Sequence, residues 1–249
     1  MSQTNHVQEM SWTAFEEQVK KTALAIIPCG AVEVYGRHLP LGTDTLVAIK
    51  LAEAAAERVE ALIGPPVWAG QSSELADFTG TLSVRAESFK EYLRDIALGL
   101  MKWGVRDFLF INSHLGNVAV IDQLSADLMQ REGVRCAQVD TWRYVRHFCD
   151  GVIETGPAAH GHASETGTSV MLHLYPGLCD MRQAAVTPEP VARFPEIITY
   201  PPFRSLTDTG TLGDATCGTA EKGAVLFARM TDKIVSFLIE EWDTPKKNP

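Results

Sequence analysis

Short apolar runs alternate along this chain with segments of helical periodicity, and this alternation limits the fold more than any other feature. Three runs rich in β-branched and aromatic residues are typical of buried parallel strands: 23–27, 108–111 and 134–139. Apolar residues recur at helical spacing between and after them, as from Phe89 to Leu100 and from Val120 to Leu128. The pattern predicts a mostly parallel sheet with helices on both faces.

The chain of 249 residues has no linker, repeat or low-complexity run that would separate domains. We predict a single domain over residues 1–249, with tails at 1–8 and 243–249. The Pro-rich stretch 188–202 is expected to be an ordered surface excursion or a flexible lid. Asn117 is a candidate N-cap for the helix that ends near Gly133.

The composition argues against several kinds of partner. The formal net charge is -9, whereas nucleic acids and anionic membranes attract clustered Lys and Arg. Five cysteines without a CxxC pair indicate neither a disulfide framework nor a thiolate zinc site. The polar N-terminus and the lack of a long apolar run predict neither a signal peptide nor a membrane helix, which favours the cytoplasm.

Residues that suit a metal site follow two of the predicted strands. Glu33 and Asp44 follow the first strand, and His114 follows the strand that ends at Ile111. The carboxyl ends of parallel strands meet at one edge of a sheet, where ligand sites are usually found. Two carboxylates and one imidazole suit a divalent metal and leave room for water.

Four segments resemble, in order, the motifs of the creatininase (creatinine amidohydrolase) family. They are 33–44 (EVYGRHLPLGTD), 112–117 (NSHLGN), 162–169 (HASETGTS) and 213–223 (GDATCGTAEKG). The resemblance extends over roughly residues 9–240. It implies a three-layer α/β/α sandwich with a mostly parallel sheet, a divalent metal, a small-molecule substrate, and a homo-oligomer such as a hexamer.

The resemblance also implies roles for individual residues. The family positions that correspond to Glu33, Asp44 and His114 bind metal, and the aspartate bridges two ions. Glu165 would be a general base or would complete the coordination sphere. His162 would carry a proton to the leaving nitrogen.

The chain departs from the family pattern at three positions on one side of the site. Tyr35 stands where a histidine usually binds the second metal, Gly116 where creatininase itself has a glutamate, and Gly167 where the third motif has its second glutamate. We therefore expect the site to bind one ion in preference to two. Zinc, manganese and iron(II) are all suitable. Tyr35 could instead donate its hydroxyl to a substrate oxygen or a developing oxyanion.

Other residues near these motifs have weaker predicted roles. His38 would orient a metal ligand, and Arg37 would lie at the substrate mouth or in solvent. The segment 72–81 resembles the substrate-side loop of the family. Three residues would line the pocket or simply pack: Trp142, Tyr144 and His147.

The predicted function is metal-dependent hydrolysis of a C–N bond in a cyclic or compact amide by a metal-activated water. Two alternatives remain: ring-opening C–C hydrolysis of a cyclic polyhydroxy ketone, as in inositol catabolism, and non-catalytic small-molecule binding. The sequence has no phosphate loop, dinucleotide fingerprint or glycine-flanked nucleophile elbow.

Overall fold

The computed structural model describes residues 4–190, 193–194, 196–197 and 199–247. The helices over these residues are α1 (Trp12–Val19), α2 (Thr43–Ala56), α3 (Ala86–Met101), α4 (Val118–Glu132), α5 (Thr141–Tyr144), α6 (Glu165–Leu174) and α7 (Ala220–Glu240). The strands are β1 (Leu24–Cys29), β2 (Leu62–Ile63), β3 (Asp107–Asn112), β4 (Arg135–Asp140), β5 (Val186–Thr187) and β6 (Gly213–Asp214). The described helices include none that is long and apolar enough to cross a membrane.

The main sheet has the order β2-β1-β3-β4, and all of its neighbouring strands are parallel. Its three longer strands are the three predicted runs. The register pairs Cys29 with Asn112, and Asn112 with Asp140. The carboxyl ends of β1, β3 and β4 therefore lie level at one edge. The two-residue strand β2 was not predicted, because so short a segment carries no periodic signal.

Side chains of the central strands point alternately into two apolar cores. Leu24 and Ile26 of β1 pack with α2, α6 and α7, whereas Ala25 and Ile27 pack with α3 and α4. Alternation of this kind is the natural result of the period-two geometry of a strand. The result is an α/β/α sandwich, which confirms the predicted fold class.

The side chain of Asn117 does not cap α4, contrary to the prediction. Its Nδ2 donates to the carbonyl oxygen of Gly30 at 2.9 Å, and its Oδ1 accepts the N–H of Gln71 at 3.0 Å. Asn117 thereby ties together the loops that follow β1, β2 and β3. The other end of α4 is as predicted, since Gly133 has the left-handed conformation (φ 66°) that favours glycine.

The described residues of the predicted tails include two whose carbonyl oxygens accept hydrogen bonds from the segment around β2. Ile63 donates its N–H to the carbonyl oxygen of Asn5 at 2.8 Å, and Glu60 donates to that of Pro245 at 2.8 Å. Both chain ends therefore bind the segment around β2. Positions 1–3 and 248–249 lie outside the described residues, as do 191, 192, 195 and 198 of the Pro-rich stretch.

Candidate metal centre and active site

A cavity of about 370 Å³ lies beyond the carboxyl ends of β1 and β3. Glu33 reaches it from the loop after β1, Asp44 from the first turn of α2, and His114 from the turn after β3. The structure therefore brings the three predicted metal ligands together from separate parts of the chain.

The three predicted ligands form a compact and buried cluster. His114 Nδ1 lies 3.0 Å from Glu33 Oε2 and 3.4 Å from Asp44 Oδ2. One ligand atom from each residue lies within 4.8 Å of the other two. None of the three side chains is more than 5% exposed. No other group of this kind was found among the described residues.

Hydrogen bonds around the cluster orient its lone pairs inward. His114 Nε2 lies 2.7 Å from the carbonyl oxygen of Gln71, which can only accept a hydrogen bond. The imidazole proton of a neutral His114 therefore sits on Nε2, and the lone pair of Nδ1 faces the two carboxylates. Asp44 Oδ2 is buried without a hydrogen-bond partner. An inward lone pair and an orphaned carboxylate oxygen suit a divalent cation.

Two further donors fix the carboxylates. Ser72 Oγ donates to Glu33 Oε2 at 2.7 Å, and Trp142 Nε1 donates to Asp44 Oδ1 at 2.9 Å. Because Oδ1 is engaged by the indole, only Oδ2 of Asp44 is free to face the cluster. This geometry disfavours a carboxylate that bridges two ions through both of its oxygens.

The cluster shifts the pKa values of its members strongly. Burial, followed by the charge of Glu33, raises the pKa of Asp44 to about 7. Burial alone would lower the pKa of His114, but the carboxylates of Glu33 and Asp44 outweigh it and hold that pKa well above its usual value. Metal-free protein therefore retains protons at this site that a bound cation would displace.

We expect stabilisation by zinc to grow as the pH rises from about 5 to about 8. The raised pKa of Asp44 makes metal-free protein lose stability as the pH rises from about 4 through 7, and that of His114 continues the loss at higher pH. Bound zinc removes both protons, so the melting temperatures with and without zinc should diverge. If the difference between the two melting temperatures stayed constant or decreased with rising pH, this would contradict a cation at this cluster.

On the side of the site that departs from the family pattern, Tyr35 is buried and Gly116 is crowded, whereas Gly167 has room for a Cβ in ordinary van der Waals contact. Tyr35 is buried, and burial followed by the charges of Asp44 and Glu33 raises its phenol pKa well above the usual value. It therefore stays a neutral hydroxyl, which suits a donor better than a metal ligand. A Cβ on Gly167 would lie 3.4 Å from Tyr35 Cε1. A Cβ on Gly116 would lie 2.1 Å from the carbonyl oxygen of Gln71.

We expect Gly116→Glu to weaken metal binding by about tenfold to a hundredfold instead of creating a second site. The added Cβ would also lie 2.5 Å from His114 Nε2, so it would push away the carbonyl that orients this histidine. Gly99→Glu is the matched control, because a Cβ there meets nothing within 4 Å. Isothermal titration calorimetry with zinc measures the affinity and the number of ions bound for both variants. A second equivalent bound by the first variant would refute this expectation.

His162 lies in the cavity wall next to Tyr35. Its Nε2 donates to the carbonyl oxygen of Val34 at 2.7 Å, and its ring centroid lies 4.6 Å from that of Tyr35. Burial lowers the pKa of His162, so the ring is neutral near pH 7 and Nδ1 carries no proton. The next residue, Ala163, has a φ of 53°, which L-residues rarely adopt.

Glu165 lies outside the cavity, and this position does not fit either predicted role, general base or metal ligand. It is the first residue of α6, and it is fully buried. Its Oε1 accepts Lys222 Nζ at 2.7 Å and the N–H of Glu154 at 2.9 Å. Its Oε2 accepts the N–H of Thr155 at 2.9 Å and the Thr155 hydroxyl at 2.6 Å.

The weaker predictions have mixed outcomes: that for His38 needs correction, and for the other residues the structure selects one of the two stated alternatives. His38 contacts Thr168 Oγ1 at 2.9 Å, and none of its hydrogen bonds reaches a metal ligand. Arg37 is exposed and does not line the cavity, although its guanidinium lies 3.5 Å from the carbonyl oxygen of Asp208. Tyr144 and His147 are likewise absent from the cavity wall, whereas Trp142 is part of it.

Sequence reasoning also missed residues that shape the site. The 72–81 segment was assigned to the substrate, and Glu74 and Leu75 do line the cavity. Ser72, however, supports a metal ligand, and no sequence signal distinguishes it from its neighbours. Lys222 lies in the last matched motif, which is the signal that could have identified it. His160, Glu189 and Phe203 also reach the cavity.

A parallel α/β/α sandwich with a buried carboxylate–imidazole cluster at its strand ends is typical of an α/β enzyme, and the cluster is a candidate metal site. The family model described as creatininase, creatinine amidohydrolase, matches residues 8–238. The chain therefore belongs to the creatininase family of metal-dependent amidohydrolases.

Individual relatives within this family differ in their activities. A mycofactocin precursor peptide peptidase of Mycobacterium ulcerans (strain Agy99) is 32% identical, over 85% of this chain and 82% of its own length. A creatinine amidohydrolase of Pseudomonas putida is 28% identical, over 97% and 99%. A 3-dehydro-scyllo-inosose hydrolase of Thermotoga maritima (strain MSB8) is 25% identical, over 98% and 86%. The solved structure of the manganese form of creatininase has a TM-score of 0.81 at 26% identity, over 96% and 98%.

Proposed function

We propose that this protein uses one divalent cation to hydrolyse a C–N bond in a compact amide. The observation that carries the proposal is the orientation of His114 by the Gln71 carbonyl, which directs Nδ1 at the two buried carboxylates. In this arrangement Asp44 Oδ2 makes no hydrogen bond and lies 3.4 Å from His114 Nδ1. Buried charges of this kind are costly unless they are paired or bind metal.

Glu33, Asp44 and His114 would hold the ion. A divalent cation there would lower the pKa of a coordinated water and polarise the substrate carbonyl. Zinc, manganese and iron(II) all suit two carboxylates and an imidazole. The Trp142 contact with Asp44 Oδ1, the neutral Tyr35 and the crowded Gly116 all support one ion over two.

Two further residues of the cavity wall would serve the reaction itself. His162 enters the reaction neutral with Nδ1 free, so it can take the proton of the attacking water and then deliver it to the leaving nitrogen. This reassigns the base role that the motif suggested for Glu165. Tyr35 keeps its proton and can donate it in a hydrogen bond to the oxygen that gains negative charge.

The cavity supports a small and uncharged or cationic substrate. Its volume lies at the low end of the range typical of small-molecule sites, about 300–1,000 Å³. Among the described residues, its lining contains Glu74 and Glu189 but no lysine or arginine. Apart from the proposed metal ion, a substrate carboxylate would therefore find no lysine or arginine partner. Arg37, which was predicted to lie at the substrate mouth or in solvent, is not part of this wall.

Product analysis in H₂¹⁸O tests the proposal. Creatinine, a short peptide and a cyclic polyhydroxy ketone would be incubated with zinc-, manganese- or iron(II)-loaded protein and followed by mass spectrometry. Gain of one labelled water with a broken C–N bond supports the proposal, whereas a broken C–C bond supports the ring-opening alternative. Metal-free protein that resists reloading would favour a non-catalytic binding protein.

Two further expectations accompany this function. The homo-oligomer that the family resemblance implies, such as a hexamer, remains a prediction that light scattering can test. The cytoplasmic location likewise remains a prediction. All five cysteines are free in the structure, which is compatible with a reducing compartment.

A further inference from the structure

The buried carboxylate of Glu165 joins three segments of the chain. Its four hydrogen bonds come from two residues of the 153–160 segment and from Lys222 of α7. Lys222 Nζ also donates to the carbonyl oxygen of Cys217 at 2.8 Å and contacts Glu154 Oε1 at 2.9 Å. The Glu165 carboxylate therefore accepts four hydrogen bonds although it does not line the cavity.

The segment that this carboxylate holds leads directly to His162. It contains only short 3-10 turns, so its position depends on contacts with neighbouring elements. Ser164 Oγ donates to the carbonyl oxygen of Ala158 at 2.6 Å, and Leu212 donates its N–H to that of His162 at 2.8 Å. These contacts surround Ala163, whose left-handed backbone persists only where the surroundings enforce it.

We infer that Glu165 and Lys222 form a positioning pair that holds the loop of His162 against Val34 and Tyr35. Neither residue touches the cavity, and both act through the loop between them. The inference rests on the proposed function for its catalytic meaning, because His162 is the residue so positioned. The contacts that carry it are independent of any metal or substrate.

If Glu165 and Lys222 act as a pair, each single substitution should disturb the loop of His162 more than the double substitution does. Glu165→Gln leaves the ammonium of Lys222, only 11% exposed, without its buried partner. Lys222→Met leaves the carboxylate with one donor fewer. Removing one member of a buried ion pair is more disruptive than replacing both by uncharged groups. The double variant should therefore recover much of what either single variant loses.

Proton exchange at the ring of His162 measures the position of the loop without substrate. Imidazole NMR on the ¹⁵N-histidine-labelled full chain would report the tautomer of His162 and the exchange of its Nε2–H with water, assigned with a His162→Gln variant. We expect exchange to be faster by about tenfold or more in each single variant, and closer to the parent in the double variant. Thr155→Val, which removes one hydroxyl donor, should give a smaller acceleration.

Controls and the opposite result are clearly defined. The exposed pair Glu17 and Lys20 provides the matched control, and its single and double variants should leave His162 unchanged. Parent-like tautomer and exchange in Glu165→Gln, Lys222→Met and Thr155→Val would overturn the inference. If both single variants fail to fold, Thr155→Val and the double variant still decide it. Since the readout needs no turnover, failure of the hydrolase proposal would appear separately.

Discussion

Asp44→Asn is expected to abolish metal binding and to lower activity on the order of a thousandfold or more, while the protein stays folded. The asparagine Oδ1 can still accept the indole N–H of Trp142, and its amide nitrogen would face the lone pair of His114 Nδ1. The variant therefore satisfies its local hydrogen bonds and loses the anionic ligand.

Metal-free Asp44→Asn should melt no lower than metal-free parent near neutral pH. Burial and Glu33 raise the pKa of Asp44 to about 7, so the metal-free parent loses stability as the pH rises from about 4 through 7, and most of this loss is complete near neutral pH. Zinc should raise the melting temperature of the parent but not that of the variant. This opposite response separates loss of a ligand from general damage.

Asp107→Asn is the matched control for Asp44→Asn. Asp107 begins β3 at the opposite edge of the sheet and pairs with Arg135. Its replacement should leave zinc content and turnover at the parental level. Elemental analysis measures the zinc content of both variants, and the product assay measures their turnover. An Asp44→Asn protein that keeps one zinc per chain would remove Asp44 from the metal centre.

The sequence predicted the fold and the three residues of the candidate metal cluster, because both depend on strong local patterns. Buried parallel strands such as β3 are continuous apolar runs, and residues that follow such strands share one sheet edge. The placement of Glu33, Asp44 and His114 followed from that rule, and the resemblance agreed with it.

The sequence did not predict the contacts between distant segments. Glu165 and Lys222 are 57 residues apart, and a motif identifies them without saying which way either side chain points. Asn117 was expected to cap a helix, because capping is the local use of an asparagine at that position, but its partners come from other loops. The 2.9 Å contact of Trp142 with Asp44 likewise joins residues 98 positions apart.

His162→Gln is expected to lower kcat by about a hundredfold to ten-thousandfold and to leave zinc content unchanged. A glutamine amide can still donate to the Val34 carbonyl that now holds Nε2, so the loop should keep its contacts. What disappears is the free Nδ1 that accepts and returns the proton. KM should change little if the ring has no other contact with the substrate.

The pH profile identifies His162 more specifically than the rate alone. Its lowered pKa predicts that kcat/KM of the parent rises with pH through a value below that of an ordinary histidine, because only the neutral ring is a base. His162→Gln should lack this rise. His147 is exposed and lies outside the cavity, so His147→Gln should retain the rise.

His160→Gln gives the sharper comparison, because His160 also lines the cavity but its buried Nδ1 has no hydrogen-bond partner. If His160→Gln removed the rise and His162→Gln kept it, His160 would be the residue that transfers the proton. The loop that Glu165 holds would then position His160 for the reaction instead of His162.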